Sequence, residues 1–152
     1  MNIRVLFIGS NPSQKSSKTV PFWHDTKSRA TLDKWLSNIQ IPIEYIDFLN
    51  VSNRPTPNNR PLKTSEIQAC LQRLENDIVQ HIRPDFIITL GKTAEKALIA
   101  MKLSETGYDY FAMPHPSGLN RQLNDPEFIE EKIKRLIEYM SPIKVSNFNS
   151  DS

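Results

Sequence analysis

The chain has 152 residues, one cysteine, three histidines and a formal net charge of +2, a length that suits a single domain with one real core. Its composition carries no collagen-like or disorder-type bias, and no apolar run reaches the roughly 20 residues of a membrane-spanning helix. Cys70 alone cannot form an intramolecular disulfide, and His24, His81 and His115 are scattered without metal-cluster spacing. No signal peptide is read at the N-terminus, so a cytoplasmic location is the expectation. The small net charge neither demands nor excludes nucleic acid. Its distribution says more: Lys15, Lys18, Arg54, Arg60, Lys63 and Arg121 fall in or beside loops, which predicts a mild basic rim.

In chain order, Ile3 to Ile8 reads as a strand continuous enough to be buried on both faces. Residues 27–39 read as a helix, with Leu32, Trp35, Leu36 and Ile39 at i, i+3, i+4 and i+7. Ile43 to Phe48 is a second strand. The segment Arg54 to Pro61 holds three prolines, which fit neither a central strand nor a helix interior, so an irregular, stiff loop is expected. A helix follows, capped by Thr64 or Ser65 and striped by Ile67, Leu71, Leu74, Ile78 and Val79, until Pro84 ends it. Phe86 to Leu90 is the third strand.

Gly91-Lys92-Thr93 then opens a helix to about residue 102. A P-loop would need a glycine where Phe86 stands, so the segment is read as a tight turn capped by Thr93. A fourth strand over about 109–113 leads to His115. Asp125 and Pro126 start a last helix running to about residue 140, with proline at its favoured first position. Residues 1–142 are expected to form one domain and 143–152 a polar, frayed tail. Strand–helix alternation predicts an α/β fold: a three-layer αβα sandwich around a central, mostly parallel four-stranded sheet.

Two strand exits stand out. Gly9-Ser10-Asn11-Pro12-Ser13 follows the apolar run Val5 to Ile8, and His115-Pro116-Ser117-Gly118-Leu119-Asn120-Arg121 follows Tyr110 to Met113. Open α/β sheets build their sites from such loops at the carboxyl edge.

These residues resemble the uracil-DNA glycosylase superfamily over nearly the whole chain. Gly9 to Ser13 is similar to the first motif of that superfamily, in the Gly-x-Asn-Pro form of its mismatch-specific and single-strand-selective branches. Leu49-Asn50-Val51 looks like its central asparagine segment. Arg54-Pro55, Asn59-Arg60-Pro61, Cys70, Arg83-Pro84 and Leu90-Gly91 are similar to the iron–sulfur branch, and His115 to Arg121 joins a His-Pro-Ser to a Pro-Ser-Gly-Leu-x-Arg.

The resemblance implies a base flipped out of DNA and held for hydrolysis. It implies that Asn11 orients the attacking water and that His115 hydrogen-bonds the base O2 as negative charge develops. Asn50 would read the pyrimidine edge, since an amide both donates and accepts; a turn-capping asparagine is the alternative. Phe22 is the candidate stacking face, with Trp23 as its rival and a core position as the other reading. Leu119 would wedge into the vacated stack, or tuck into the core as a loop leucine. Ser117, Gly118, Arg121 and Arg60 are candidate DNA contacts, and Ser13 a candidate contact to base or phosphate.

Departures from the family pattern carry their own implications. The iron–sulfur branch uses four cysteines; here Cys70 matches one position and Asn53 occupies another, so no cluster, metal or cofactor is expected. Asn11 stands where the fastest uracil-specific branch has aspartate, which implies weaker water activation. Ser13 replaces a tyrosine that excludes 5-substituted pyrimidines, which leaves room beside C5. The expected activity is therefore a monofunctional DNA glycosylase acting on uracil or a 5-modified pyrimidine, working as a monomer on DNA without a membrane. The alternatives are a defence enzyme excising hypermodified bases from viral DNA, or a DNA-binding member without catalysis. A flavodoxin-like nucleotide domain rests on topology alone.

Overall fold

Hydrophobic residues at consecutive positions can be buried together only if both faces of their strand are covered. Strand β1, Ile3–Gly9, meets that condition, with Arg4 its one residue that is not fully buried. The computed structural model describes residues 3–11, 27–38, 43–54, 56–116 and 125–140. Its further elements are α1 (Lys27–Leu36), β2 (Ile43–Asn50), α2 (Thr64–Asn76), β3 (Phe86–Leu90), α3 (Lys92–Ala100), β4 (Phe111–Met113) and α4 (Pro126–Tyr139).

The sheet has strand order β2-β1-β3-β4, and each of its three pairings is parallel. Alternation along β1 divides the core. Val5 and Phe7 join Leu32 and Trp35 of α1 and Leu136 of α4 on one face. Leu6 and Ile8 join Ile67 and Leu74 of α2 and Ala97 and Leu98 of α3 on the other. The result is the three-layer αβα sandwich, with a parallel four-stranded sheet at its centre. Each fully buried leucine or isoleucine in these layers contributes on the order of 1.5–3 kcal/mol.

Several boundaries differ from the sequence reading for local reasons. The α1 stripe ends at Leu36, and Ile39 lies outside the described residues. Strand β2 runs two residues beyond Phe48 to Asn50, because its pairing with β1 continues through Ile8↔Leu49 and Gly9↔Asn50. The cap of α2 is Lys63, not Thr64 or Ser65; the Glu66 carboxylate reaches back to accept from the Lys63 backbone N–H at 2.7 Å, the glutamate half of a capping box, and fixes the helix start there. Gly91, not Thr93, caps α3. At the end of α2, Asp77–Ile82 widens into a π-helical turn. Arg83 then donates its N–H to Ile78 O and takes the left-handed region at φ 49°, since the helical region is disfavoured before Pro84. Asp125 caps α4 as expected, accepting from the N–H groups of Glu127 and Phe128. Residues 143–152, read as a polar tail, lie outside the described residues.

Candidate active site

Parallel strands end on the same side, so the carboxyl ends of all four strands share one edge of this sheet. That edge carries Asn50 as the last residue of β2, Asn11 two residues past β1, Gly91 directly after β3 and His115 two residues past β4. From β1 to β4 is two strand steps, on the order of 10 Å at the usual strand spacing. The pairing of β1 and β2 also extends beyond both strands, with Val51 N–H donating to Gly9 O and Ser52 N–H to Ser10 O, each at 2.9 Å. The loop bearing Asn11 is thereby clamped to the exit of β2. Asn50 is buried there, 5% exposed, an unusual burial for an amide.

Asn11 is held by two hydroxyls. Ser10 Oγ donates to its Oδ1 at 2.8 Å, and its Nδ2 donates to Thr56 Oγ1 at 3.4 Å. Thr56 is itself buried, and its hydroxyl donates to the carbonyl of Arg60. The Arg60 guanidinium forms a fork with Glu66, at 2.8 and 3.1 Å. This pairing holds the Glu66 carboxyl down at about 2, aided by the Lys63 N–H. Asn11, Thr56, Arg60 and Glu66 thus form one continuous chain of contacts from the β1 exit to the first turn of α2.

Behind Asn50, Arg73 of α2 donates from Nη2 to the carbonyls of Asn50 (3.1 Å) and Val51, while its Nη1 pairs with Asp77 at 3.1 Å. On the other side of the sheet edge, Gly91 N–H donates to Met113 O at 2.9 Å and ties the exits of β3 and β4 together. His115 follows, half-buried, and burial lowers its imidazole from the ordinary 6.5, so the ring is neutral near pH 7. A cleft of about 510 Å³ opens beside it, lined by Gly91, Lys92, Glu95, Met113, His115 and Lys132 among others. Asn11 and Asn50 do not line this cleft.

Of the residues singled out in the sequence, the structure therefore brings Asn11, Asn50 and His115 to one edge. Arg60 lies near Asn11 with its side chain turned to Glu66. Ser13, Phe22, Ser117, Gly118, Leu119 and Arg121 lie outside the described residues, as does Trp23. Thr56, Arg73 and Gly91 were missed as site residues. For Arg60 the signal was present, because an acid six residues on, at the start of a helix, is a ready partner.

Cys70, half-buried on α2, packs against the apolar layer under β1. A four-thiolate iron–sulfur cluster does not fit a chain with this one cysteine. Among the described residues, no group of three His, Cys, Asp or Glu side chains gathers as a metal site, and no helix is long and apolar enough to cross a membrane.

A family model described as the uracil DNA glycosylase superfamily matches residues 1–137. No curated protein matches the chain. With nine-tenths of the chain inside the match and the parallel αβα sheet in place, the protein belongs to the uracil-DNA glycosylase superfamily. Proteins of that superfamily act on DNA, generally as glycosylases.

Proposed function

We propose that this chain is a monofunctional DNA glycosylase that hydrolyses the N-glycosidic bond of a flipped pyrimidine, uracil or a 5-modified pyrimidine, and leaves an abasic site. The observation that carries the reading is the placement of two amides and an imidazole, Asn11, Asn50 and His115, at strand ends along one edge of a parallel sheet. In the step proposed, a water oxygen bonds to the sugar C1′ as the bond from C1′ to the base nitrogen breaks. The bonding pair leaves with the base, and the water gives up one proton to solvent.

Charge stabilisation dominates such a step, because positive charge grows on the sugar and negative charge on the base. A neutral His115 N–H donates to the base O2, and burial keeps the ring neutral. Asn11 has no usable basicity, so it orients the water rather than deprotonating it. Asn50 reads the base edge from a buried position where water competes poorly. The serine at position 13, small where a tyrosine would exclude C5 substituents, supports a modified pyrimidine as well as uracil.

The test is mass-spectrometric identification of free base released from oligonucleotides carrying uracil, thymine mismatches, 5-modified cytosines or hypermodified pyrimidines, single- and double-stranded. Release of one such base with an abasic product is expected. DNA binding without release across the panel would instead favour a non-catalytic member, and release confined to hypermodified bases a defence enzyme.

A further inference from the structure

We propose that Thr56 is a positioning residue for the glycosidic step, fixing which end of the Asn11 amide is offered to water; this rests on the glycosylase reading above. A threonine hydroxyl has a single proton, and the carbonyl of Arg60, which can only accept, takes it. Toward Asn11 the hydroxyl therefore presents a lone pair, and only the N–H₂ end of the amide can meet a lone pair. The 3.4 Å contact from Asn11 Nδ2 to Thr56 Oγ1 is that meeting.

Ser10 cannot decide the orientation, because its hydroxyl donates or accepts equally well; it takes the role left over and donates to Oδ1 at 2.8 Å. A carbonyl oxygen has two lone pairs, so Oδ1 retains one for a proton of the attacking water. The reversed amide would set two acceptors face to face at Thr56. It would also offer water an N–H, which engages the oxygen lone pair that has to attack C1′. Orientation thus separates an amide that assists the nucleophile from one that blunts it.

The anchor is rigid. Thr56 is 3% exposed, so bulk water does not compete for its hydroxyl. The Arg60 carbonyl is fixed by the Arg60 N–H bond to Pro57 O at 3.1 Å and by the fork between the Arg60 side chain and Glu66. A hydroxyl in the proline-rich loop thereby controls an amide 45 residues away in sequence.

The test compares Thr56→Val, which keeps the shape and removes the hydroxyl, with Thr56→Ser, which keeps it. Thr56→Val should lower the single-turnover rate by about tenfold to a hundredfold, with the DNA Kd held within about twofold. Thr56→Ser should restore most of the rate, and Thr56→Val should add nothing on an Asn11→Ala background. A wild-type rate in Thr56→Val, or an equal loss with and without Asn11, overturns the proposal. Melting curves report folding, and Thr56→Cys, whose thiol is a poor acceptor, replaces a Thr56→Val that fails to fold. If the wild-type chain releases no base, the glycosylase reading fails, while the orientation is still tested by NMR. The Asn11 side-chain N–H₂ should be protected from exchange in wild type and Thr56→Ser and unprotected in Thr56→Val; equal protection in all three overturns it.

Discussion

A Cβ added to Gly91 would lie 3.1 Å from Cβ of His115 and 3.4 Å from its Cδ2, so the imidazole rests directly on bare backbone. Gly91 also sits at φ 91°, a region that side-chain-bearing residues rarely adopt. Gly91→Ala is therefore expected to destabilise the fold by about 1–3 kcal/mol and to push the His115 ring away from the sheet edge. A displacement near 1 Å in such a group lowers turnover on the order of a hundredfold. Thermal melting and single-turnover base release measure the two effects separately.

His115 carries a pH signature. Burial lowers its folded value below 6.5, so on acidification the unfolded chain takes up the proton first. Its contribution to stability is whole above about pH 6.5, falls as pH drops below that, and levels off once the folded ring also titrates. Urea midpoints at about pH 8 and about pH 5 should differ less in His115→Gln than in wild type. Base release should reach half of its plateau only below pH 6.5, because burial moves the protonation of the ring to lower pH.

The fork between Arg60 and Glu66 predicts a different acid dependence. The Glu66 carboxyl is held at about 2, against an ordinary 4.5, so its contribution is present above 4.5 and is lost as pH falls toward about 2. Glu66→Gln should be less stable than wild type at neutral pH, and the gap should close over that window. Urea midpoints across the acid range give the measurement.

Arg73 supports the strand end that carries Asn50. Charged hydrogen bonds to backbone carbonyls contribute roughly 1.5–3 kcal/mol when shielded, and this guanidinium is a third exposed. Arg73→Ala should destabilise by about 1–2 kcal/mol. Arg73→Lys should recover only part, since a point charge cannot span two carbonyls and the Asp77 carboxylate together. Chemical denaturation of both variants decides it.

What could be read from the sequence is what local chemistry determines. The short apolar run Val5 to Ile8, β-branched at both ends and closed by Gly9, reads as a doubly covered strand, and Asp125-Pro126 contains its own helix start. The exits of β1 and β4 were legible as loops at the carboxyl edge of the sheet because polar and small residues follow apolar runs there. Contacts across the chain were not. Thr56 acts through Asn11, Gly91 matters because β3 and β4 run side by side, and Arg73 reaches two carbonyls on another layer. Arg60, read as a DNA contact from its charge and loop position, is engaged by Glu66, so its side chain has a structural task that charge counting does not reveal. The cap of α2 was misassigned for a related reason: the glutamate at the third helical position reaches back to the Lys63 N–H and starts the helix ahead of the hydroxyls at 64 and 65.

The most direct test of the account is single-turnover base release by wild type, Asn11→Ala and His115→Ala on the same lesion-bearing oligonucleotide, with the DNA Kd measured alongside. Release by wild type, loss of at least about a hundredfold in each variant and nearly unchanged binding are predicted. Full activity in either variant would contradict the role assigned to that residue, and no release by the wild-type chain from any pyrimidine lesion would contradict the glycosylase itself.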